Sequence, residues 1–429
     1  MSHYTFDRAA FKKRILTRDV YLWGAGQQGR GMQRLLEREG IPFAGFIDSS
    51  EALQKSGVQD APVHPPSILA DNPRAFVITS AFFYDEAIRE RCESFGLEHG
   101  DDFVSYKELK PLDYAVEISG VCNLTCMSCP RSARFERHPD RGFMSVDVFE
   151  QVLDKILRED PFVGNIMLYQ WGEPLLNKAL PEILEAAHRR GVSCAISSNL
   201  SLRKDLRPII AARPGRFRIS MSNWGEDYEI THTGGRWDLF KSNLIELARL
   251  RDELNPGMKT ELYYHVYRHN QGEPLERARQ LCEELGLDFF PVWAYIIGLD
   301  DVLGYLEGGQ LAGPGRKLEP MLEVSVDEGM ALAYQEREKE CLVMRVVHIN
   351  WDLAVSQCMM FFYPEGNTVA HNFLETPIAE IAAARDEHPL CSRCMPHGLH
   401  RYCSVYANKE VDLSESRPPR PAPRLEVLQ

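Results

Sequence analysis

"YAVEISGVCNLTCMSCP", Tyr114–Pro130, decides how this chain is read. An apolar run of strand character ends in a glycine and then delivers three cysteines at the spacing C-x3-C-x2-C. Three thiolates this close can hold a metal, but a closed cysteine site for zinc takes four ligands. The loop that follows offers only His138 as a fourth. Iron–sulfur clusters are also held by thiolates. Three cysteines on a cubane leave one iron open, and an open iron is a reactive position. Zinc, an open cluster and three spare thiols all remain available on spacing alone.

Composition narrows the setting. With 49 Lys and Arg against 62 Asp and Glu, the 429 residues carry a formal charge of −13. That balance argues against nucleic acid or an anionic membrane as the main partner, since both require a basic footprint. No apolar run reaches the length of a membrane span, and "MSHYTFDRAAFKKR" at the start lacks the apolar core of a signal peptide. The expected location is cytoplasmic, where thiols stay reduced. Eight of the eleven cysteines fall into two groups, 122–129 and 341–403, which therefore read as metal ligands. Cys92, Cys194 and Cys282 stand alone and read as packing.

The expected fold class is α/β in three parts. Residues 1–110 carry "DVYLW", the turn "GAGQQG" with Gly24, Gly26 and Gly29, a helical run, and "FAGFID" ending at Asp48, 19 positions after Gly29. This is a Rossmann-like, three-layer pattern. Its glycine turn is placed to cradle a phosphate, and its carboxylate to meet a ribose. The block looks like half of a doubly wound domain, so a bound nucleotide or nucleotide-sugar and a docking domain with a tight turn stand level. Residues 111–310 alternate strands and helices six times, from "YAVEIS" to "DFFPVWAY", which predicts a partial (β/α)6 TIM-type barrel with its chemistry at the strand C-termini. Ser145 reads as an N-cap before the stripe Phe149, Val152, Leu153, Ile156 and Leu157. Residues 311–412 form a small C-terminal domain bearing the second cysteine group, and 413–429 read as a disordered Pro- and Arg-rich tail.

The cysteine spacing, taken with the six-unit barrel, resembles the radical S-adenosylmethionine (SAM) superfamily. "QWGEP" after the second strand is similar to that family's glycine-rich loop. Gly172, Glu173 and Pro174 match it, and Trp171 stands where the first glycine often is. "GFMS" (142–145) matches the lead-in to the first barrel helix of one subgroup. The resemblance implies a 4Fe–4S cluster on Cys122, Cys126 and Cys129, with SAM as the missing ligand of its open iron. It also places Ser198 and Asn199 after the third strand, and Ser220 and Ser222 after the fourth, near the cofactor's carboxylate and ribose. Ser128 departs from it, since many members carry an aromatic residue before the last cysteine.

Cys341 and Cys358, with 16 residues between them, precede the pair Cys391 and Cys394, and Cys403 follows nine positions later. Zinc stays open here on spacing alone. The order resembles the SPASM or shorter twitch extension, which implies an auxiliary 4Fe–4S cluster on Cys341, Cys358, Cys391 and Cys394. Leu353 departs from that pattern, which has glycine at this place. Cys403 reads as a buried thiol, with ligand exchange or hydrogen donation as its other roles, and His397 and His400 read as solvated loop residues. The resemblance then implies oxidation of a small substrate, sugar-like or nucleotide-linked, through a 5′-deoxyadenosyl radical. The auxiliary cluster would accept an electron, and a flavodoxin or ferredoxin would supply one. A peptide-modifying maturase, a radical epimerase using Cys194 or Cys403, and a non-enzymatic iron–sulfur scaffold or redox sensor are the alternatives. Trp293 and Tyr295 are read either as pocket lining or as barrel core.

Overall fold

A computed structural model describes residues 8–58, 61–81, 84–109, 112–133, 142–160, 162–311 and 313–408. His138 and the tail 413–429 lie outside the described residues.

The first sheet is built from β1 (Asp19–Trp23), β2 (Gly45–Ile47), β3 (Val63–His64), β4 (Ala75–Thr79) and β5 (Phe103–Ser105). All five strands are parallel, in the order β3-β2-β1-β4-β5. Its strands are buried on both faces, as helices above and below a parallel sheet require. Val20, Leu22, Phe46 and Phe76 enter one core, while Tyr21, Trp23, Ile47 and Val77 enter the other. The short strands β3 and β5 extend the half-domain expected from the sequence to a five-stranded doubly wound sheet. With two and three residues, neither carries a periodicity that could be read.

The second sheet holds the barrel strands β6 (Asp113–Val116), β7 (Asn165–Met167), β8 (Ser193–Ser198), β9 (Arg216–Met221), β10 (Lys259–Val266) and β11 (Asp288–Trp293). They pair in parallel in sequence order, giving the six-unit partial barrel. The helix Val146–Glu159 starts at Ser145, whose hydroxyl accepts from the Val148 N–H, and buries Phe149, Val152, Leu153 and Ile156. Beyond β6 the sheet continues. β12 (Val346–Ile349) pairs with β6 in parallel, and β13 (Val355–Ser356) and β14 (Thr368–Ala370) return antiparallel. The C-terminal cysteine region is thus sewn onto the edge of the barrel sheet.

The two sheets meet at the barrel floor. A Cβ on Gly164 would lie 1.9 Å from the Gly31 carbonyl oxygen, so backbones touch where the helix Gln27–Glu39 crosses the start of β7. Arg30 donates to the Gly257 carbonyl just before β10, and Arg34 lies 3.3 Å from His188. The glycine turn therefore sits at the N-terminal ends of the barrel strands. A six-residue strand spans about 20 Å, and that length separates the turn from the opposite end.

Candidate active site

At the C-terminal ends of β6 and β7 two loops run side by side. Glu173 N–H donates to the Val121 carbonyl at 2.8 Å, which holds the "WGEP" loop against the entrance to Cys122. A Cβ on Gly172 would lie 1.8 Å from the Ser119 carbonyl oxygen and 3.0 Å from that of Val121, so only glycine fits there. Beneath the loop is Glu117, 4% exposed. One of its oxygens accepts from the Trp171 N–H at 2.7 Å and from the Gly172 N–H. Burial pushes this carboxyl up to about 7, against the pull of those two donors. His348 of β12 stands 3.8 Å away, but burial drives its imidazole down to about 3, so the contact is not an ion pair. Sequence reading missed Glu117, although its place on the strand before the first cysteine was visible.

Glu173 is 2% exposed and joins two strand ends. Its carboxylate accepts from the Leu175 N–H at 3.0 Å and from the Asn199 N–H at 2.9 Å, and burial raises it to about 7. Pro174 opens the short turn Pro174–Leu176 behind it and is buried. In front lies a cavity of about 170 Å³. Cys122, Cys126 and Cys129 line it together with Gly172 and Glu173, and so do Ser198, Asn199, Ser220 and Ser222. Asn199 Nδ2 is 3.7 Å from Cys122 Sγ. The Ser198 hydroxyl accepts from the Leu200 N–H, and the Ser222 hydroxyl is held by Thr231 and His232. The wall also includes Tyr169, His265 and Tyr267, which sequence reading did not single out. Tyr267, just past β10, hydrogen-bonds Ser128, so an aromatic ring reaches this place from across the barrel.

The three cysteines fit a cluster. Burial raises the Cys122 thiol to about 12, with Glu173 adding to it, and lifts Cys126 well above the ordinary range, with Cys129 and Cys122 adding to it. Buried thiols in each other's field ionise only against a strong local positive charge, which bound iron supplies. Among the described residues no three His, Cys, Asp or Glu side chains are grouped so as to hold a single metal ion.

The second cysteine group also converges. Cys358 lies in the electrostatic reach of Cys341 and Cys391, and Cys394 in that of all three. Leu353 adopts φ +74°, the left-handed conformation that glycine takes most easily. Gln357 Nε2 donates to Cys391 Sγ at 3.1 Å. Arg385, 1% exposed, donates to the carbonyls of Gln357 and Val343. Cys358, Cys391 and Cys341, followed by Asp386, are the groups whose charge would bear on it most. Trp351, in the β12–β13 turn, covers Gly120 and Gly142, where a Cβ would come within 2.1 Å of its ring. The turn leading into the second group thereby clamps the loop that carries the first.

Other expectations fare differently. His397 is exposed, but His400 is buried, and its Nε2 meets the Lys339 carbonyl at 3.0 Å. Cys403 hydrogen-bonds Tyr295, and Cys194 lies in the barrel core; neither lines the cavity. Cys92 and Cys282 are buried. Gly24 takes φ +114°, and a Cβ on Gly29 would meet the Gly24 carbonyl oxygen at 1.9 Å, so these two glycines serve the turn itself. Asp48 accepts from the Ala25 and Ser50 N–H groups, and nothing lies within 4 Å of where a Gly26 Cβ would point.

The profile of the radical SAM superfamily matches residues 116–284. This chain carries a radical SAM domain. An AdoMet-dependent heme synthase of Nitratidesulfovibrio vulgaris strain Hildenborough is 29% identical over 178 residues, 40% of this chain and 45% of that protein. One of Oleidesulfovibrio alaskensis is 29% identical over 117 residues, 27% of this chain and 29% of its own. The match thus spans less than half the length of either relative. Among solved structures, Streptococcus suis SuiB bound to S-adenosylmethionine is 16% identical, with 72% of this chain and 78% of that one covered and a TM-score of 0.47. BtrN in complex with AdoMet and 2-DOIA is also 16% identical, over 71% and 94%, with a TM-score of 0.40. Among the described residues, no helix is long and apolar enough to cross a membrane.

Glu117 makes a testable contribution to stability in this radical SAM fold. Its folded carboxyl titrates near 7 instead of 4.5, so the folded state binds the extra proton between those values. The associated stability is complete below pH 4.5 and is lost as pH rises through 7. Its full loss amounts to roughly 3 kcal/mol. In Glu117→Gln the amide oxygen can still accept from Trp171 and Gly172. Urea unfolding of the metal-free protein at pH 5 and pH 8 should therefore show the variant losing less stability than wild type. Parallel pH profiles would contradict the assignment.

Proposed function

We propose that this protein is a radical SAM oxidoreductase that removes hydrogen from a small substrate and passes an electron to an auxiliary 4Fe–4S cluster. The observation that carries the reading is the single cavity on which Cys122, Cys126, Cys129, Gly172, Glu173, Asn199, Ser220 and Ser222 converge. The cysteines would hold the first 4Fe–4S cluster. The loop at Gly172 would take the methionine amine, and the polar ends of β8 and β9 would take the carboxylate and ribose. Bound there, the clusters would supply one electron to split SAM into methionine and a 5′-deoxyadenosyl radical, and would accept one from the substrate radical as a proton leaves to solvent. The protein's own work is to fix the loop through Glu117, tie β7 to β8 through Glu173, and bury the reacting space.

Cys341, Cys358, Cys391 and Cys394 would hold the auxiliary cluster. The support is a fully buried guanidinium with three thiols as its charge partners, an arrangement that suits an anionic tetrathiolate centre. Electrons would arrive from a flavodoxin or ferredoxin in the cytoplasm. The glycine turn at the barrel floor is one strand length from the cavity, so a nucleotide on Gly24, Gly26, Gly29 and Asp48 would not be the group that reacts. We assign that part a docking role, and the substrate to the barrel interior.

Iron counting tests the two-cluster reading. After anaerobic reconstitution, wild type should hold about eight irons and Cys358→Ala/Cys391→Ala about four, the latter still forming 5′-deoxyadenosine. About four irons in wild type, unchanged in the double variant, would remove the auxiliary cluster from the account.

A further inference from the structure

The barrel interior contains two arginines in very different states. β9 alternates, so that Arg216, Arg218 and Ser220 face the same way while Phe217, Ile219 and Met221 are buried. Arg216, nearer the floor, is neutralised. Its Nε donates to Glu261 at 2.7 Å, and Lys259 Nζ reaches the same carboxylate at 2.8 Å. Arg218, one layer closer to the cavity, has no such partner. Its guanidinium lies 3.8 Å from the centroid of the Tyr263 ring, and its Nε is buried without a hydrogen bond. Among the described residues no side chain or backbone group forms a hydrogen bond or ion pair with it.

Arg218 is also well placed. It pairs in register with Ser197, and Ser197 and Ser220 line the cavity. Its charge reaches His265 in the cavity wall, and it reaches Tyr295 beyond β11. Glu261, its register partner on β10, is taken by Arg216 and Lys259, so the carboxylate beside it is already shared by two other cations. Arg218 is half-buried, and a guanidinium whose Nε is shut off from water without an acceptor gains from an anion at its open edge. Its remaining edge offers N–H donors in a fork that matches a carboxylate or a phosphate. Two residues along a strand span about 7 Å, the length of a few carbon atoms between Arg218 and the cavity at Ser220.

We propose that Arg218 binds an anionic oxygen group of the substrate, a carboxylate or a phosphate, at the middle layer of the barrel. The substrate then enters the interior acid-first, and its opposite end faces the cavity. This deepens the function proposed above by naming the substrate class, and it rests on that reading.

The test is calorimetric titration of the reconstituted, SAM-loaded protein with succinate, inorganic phosphate and neutral 1,4-butanediol. Saturable binding is expected for at least one acid and not for the diol. Affinity should fall at least tenfold in Arg218→Gln and be recovered only in part in Arg218→Lys, which keeps the charge without the fork. Succinate alone would indicate a carboxylic acid substrate, and phosphate alone a phosphorylated one. No saturable binding of either acid, or equal affinity in Arg218→Gln, overturns the proposal. A measurement on wild type covers a variant that does not fold. The acid that binds should shield Arg218 from phenylglyoxal labelling read by mass spectrometry, and unshielded labelling is equally decisive against it. Failure of the radical reading would show separately, as absence of 5′-deoxyadenosine from cluster-loaded wild type.

Discussion

Gly172→Ala is expected to cut 5′-deoxyadenosine formation by about 100-fold or more, with the iron held by Cys122, Cys126 and Cys129 largely retained. The new methyl group would sit 1.8 Å from the Ser119 carbonyl oxygen, 2.8 Å from its carbon and 3.0 Å from the Val121 carbonyl oxygen. All three are backbone atoms, so no side-chain rotation relieves the clash. The loop must shift by roughly an ångström, which separates Gly172 N–H from Glu117 and moves the whole turn relative to the cysteines. A misplacement of that size costs on the order of 100-fold in a reaction that depends on orientation, and overpacking adds about 1–3 kcal/mol of destabilisation. Rate and iron content should be measured together. A rate within threefold of wild type would mean that this loop does not position the cofactor.

The second large effect is expected at Arg385. Its guanidinium is 1% exposed, and Asp386 is the one carboxylate among its leading charge partners. Cys358, Cys391 and Cys341 bear on it more than Asp386 does, and as thiolates on a cluster they would supply most of its compensation. A tetrathiolate iron–sulfur centre carries net negative charge, and a fixed buried cation offsets part of the cost of placing that charge in a low-dielectric interior. Removing one partner of such a buried pair costs about 3–5 kcal/mol. Arg385→Gln should therefore lose the C-terminal cluster, with iron falling from about eight to about four per chain, while the cavity cluster and 5′-deoxyadenosine formation persist. Arg385→Lys keeps the charge without the fork and should recover part of the lost iron. A glutamine variant with full iron content would contradict this role.

Much of this was legible from the sequence because it is local. The six barrel strands announce themselves through apolar runs separated by amphipathic helices, and Ser145 through its place before the first stripe. The cavity residues follow strand ends, and a parallel barrel brings strand ends together whatever the sequence between them. Glu117, Tyr267, Arg218 and Arg385 were not legible for the opposite reason. Each gains its meaning from a partner distant in sequence: Gly172, Ser128, the unneutralised barrel interior, and the second cysteine group. The pairing of β12 with β6 joins residues more than 200 positions apart, and no short-range pattern encodes it. Leu353 shows the limit from the other side. The residue type departs from glycine, yet its φ of +74° lies in the left-handed region that glycine enters most easily.

Read along the chain, the G-x-G-x-x-G in front of the barrel leaves a bound nucleotide and a docking domain with a tight turn level. In the fold, the helix that follows the turn lies on the barrel floor. Gly31 against Gly164, and Arg30 on the Gly257 carbonyl, make that helix part of a packed joint and support the docking role proposed for this part.

The most direct test of the central claim is anaerobic. The protein is reconstituted with iron and sulfide, supplied with SAM and dithionite, and assayed for 5′-deoxyadenosine beside a Cys126→Ala variant. Formation by wild type and loss in the variant is the predicted result. A fully loaded wild-type cluster that forms no 5′-deoxyadenosine would contradict it, and would leave an iron–sulfur scaffold or sensor in its place.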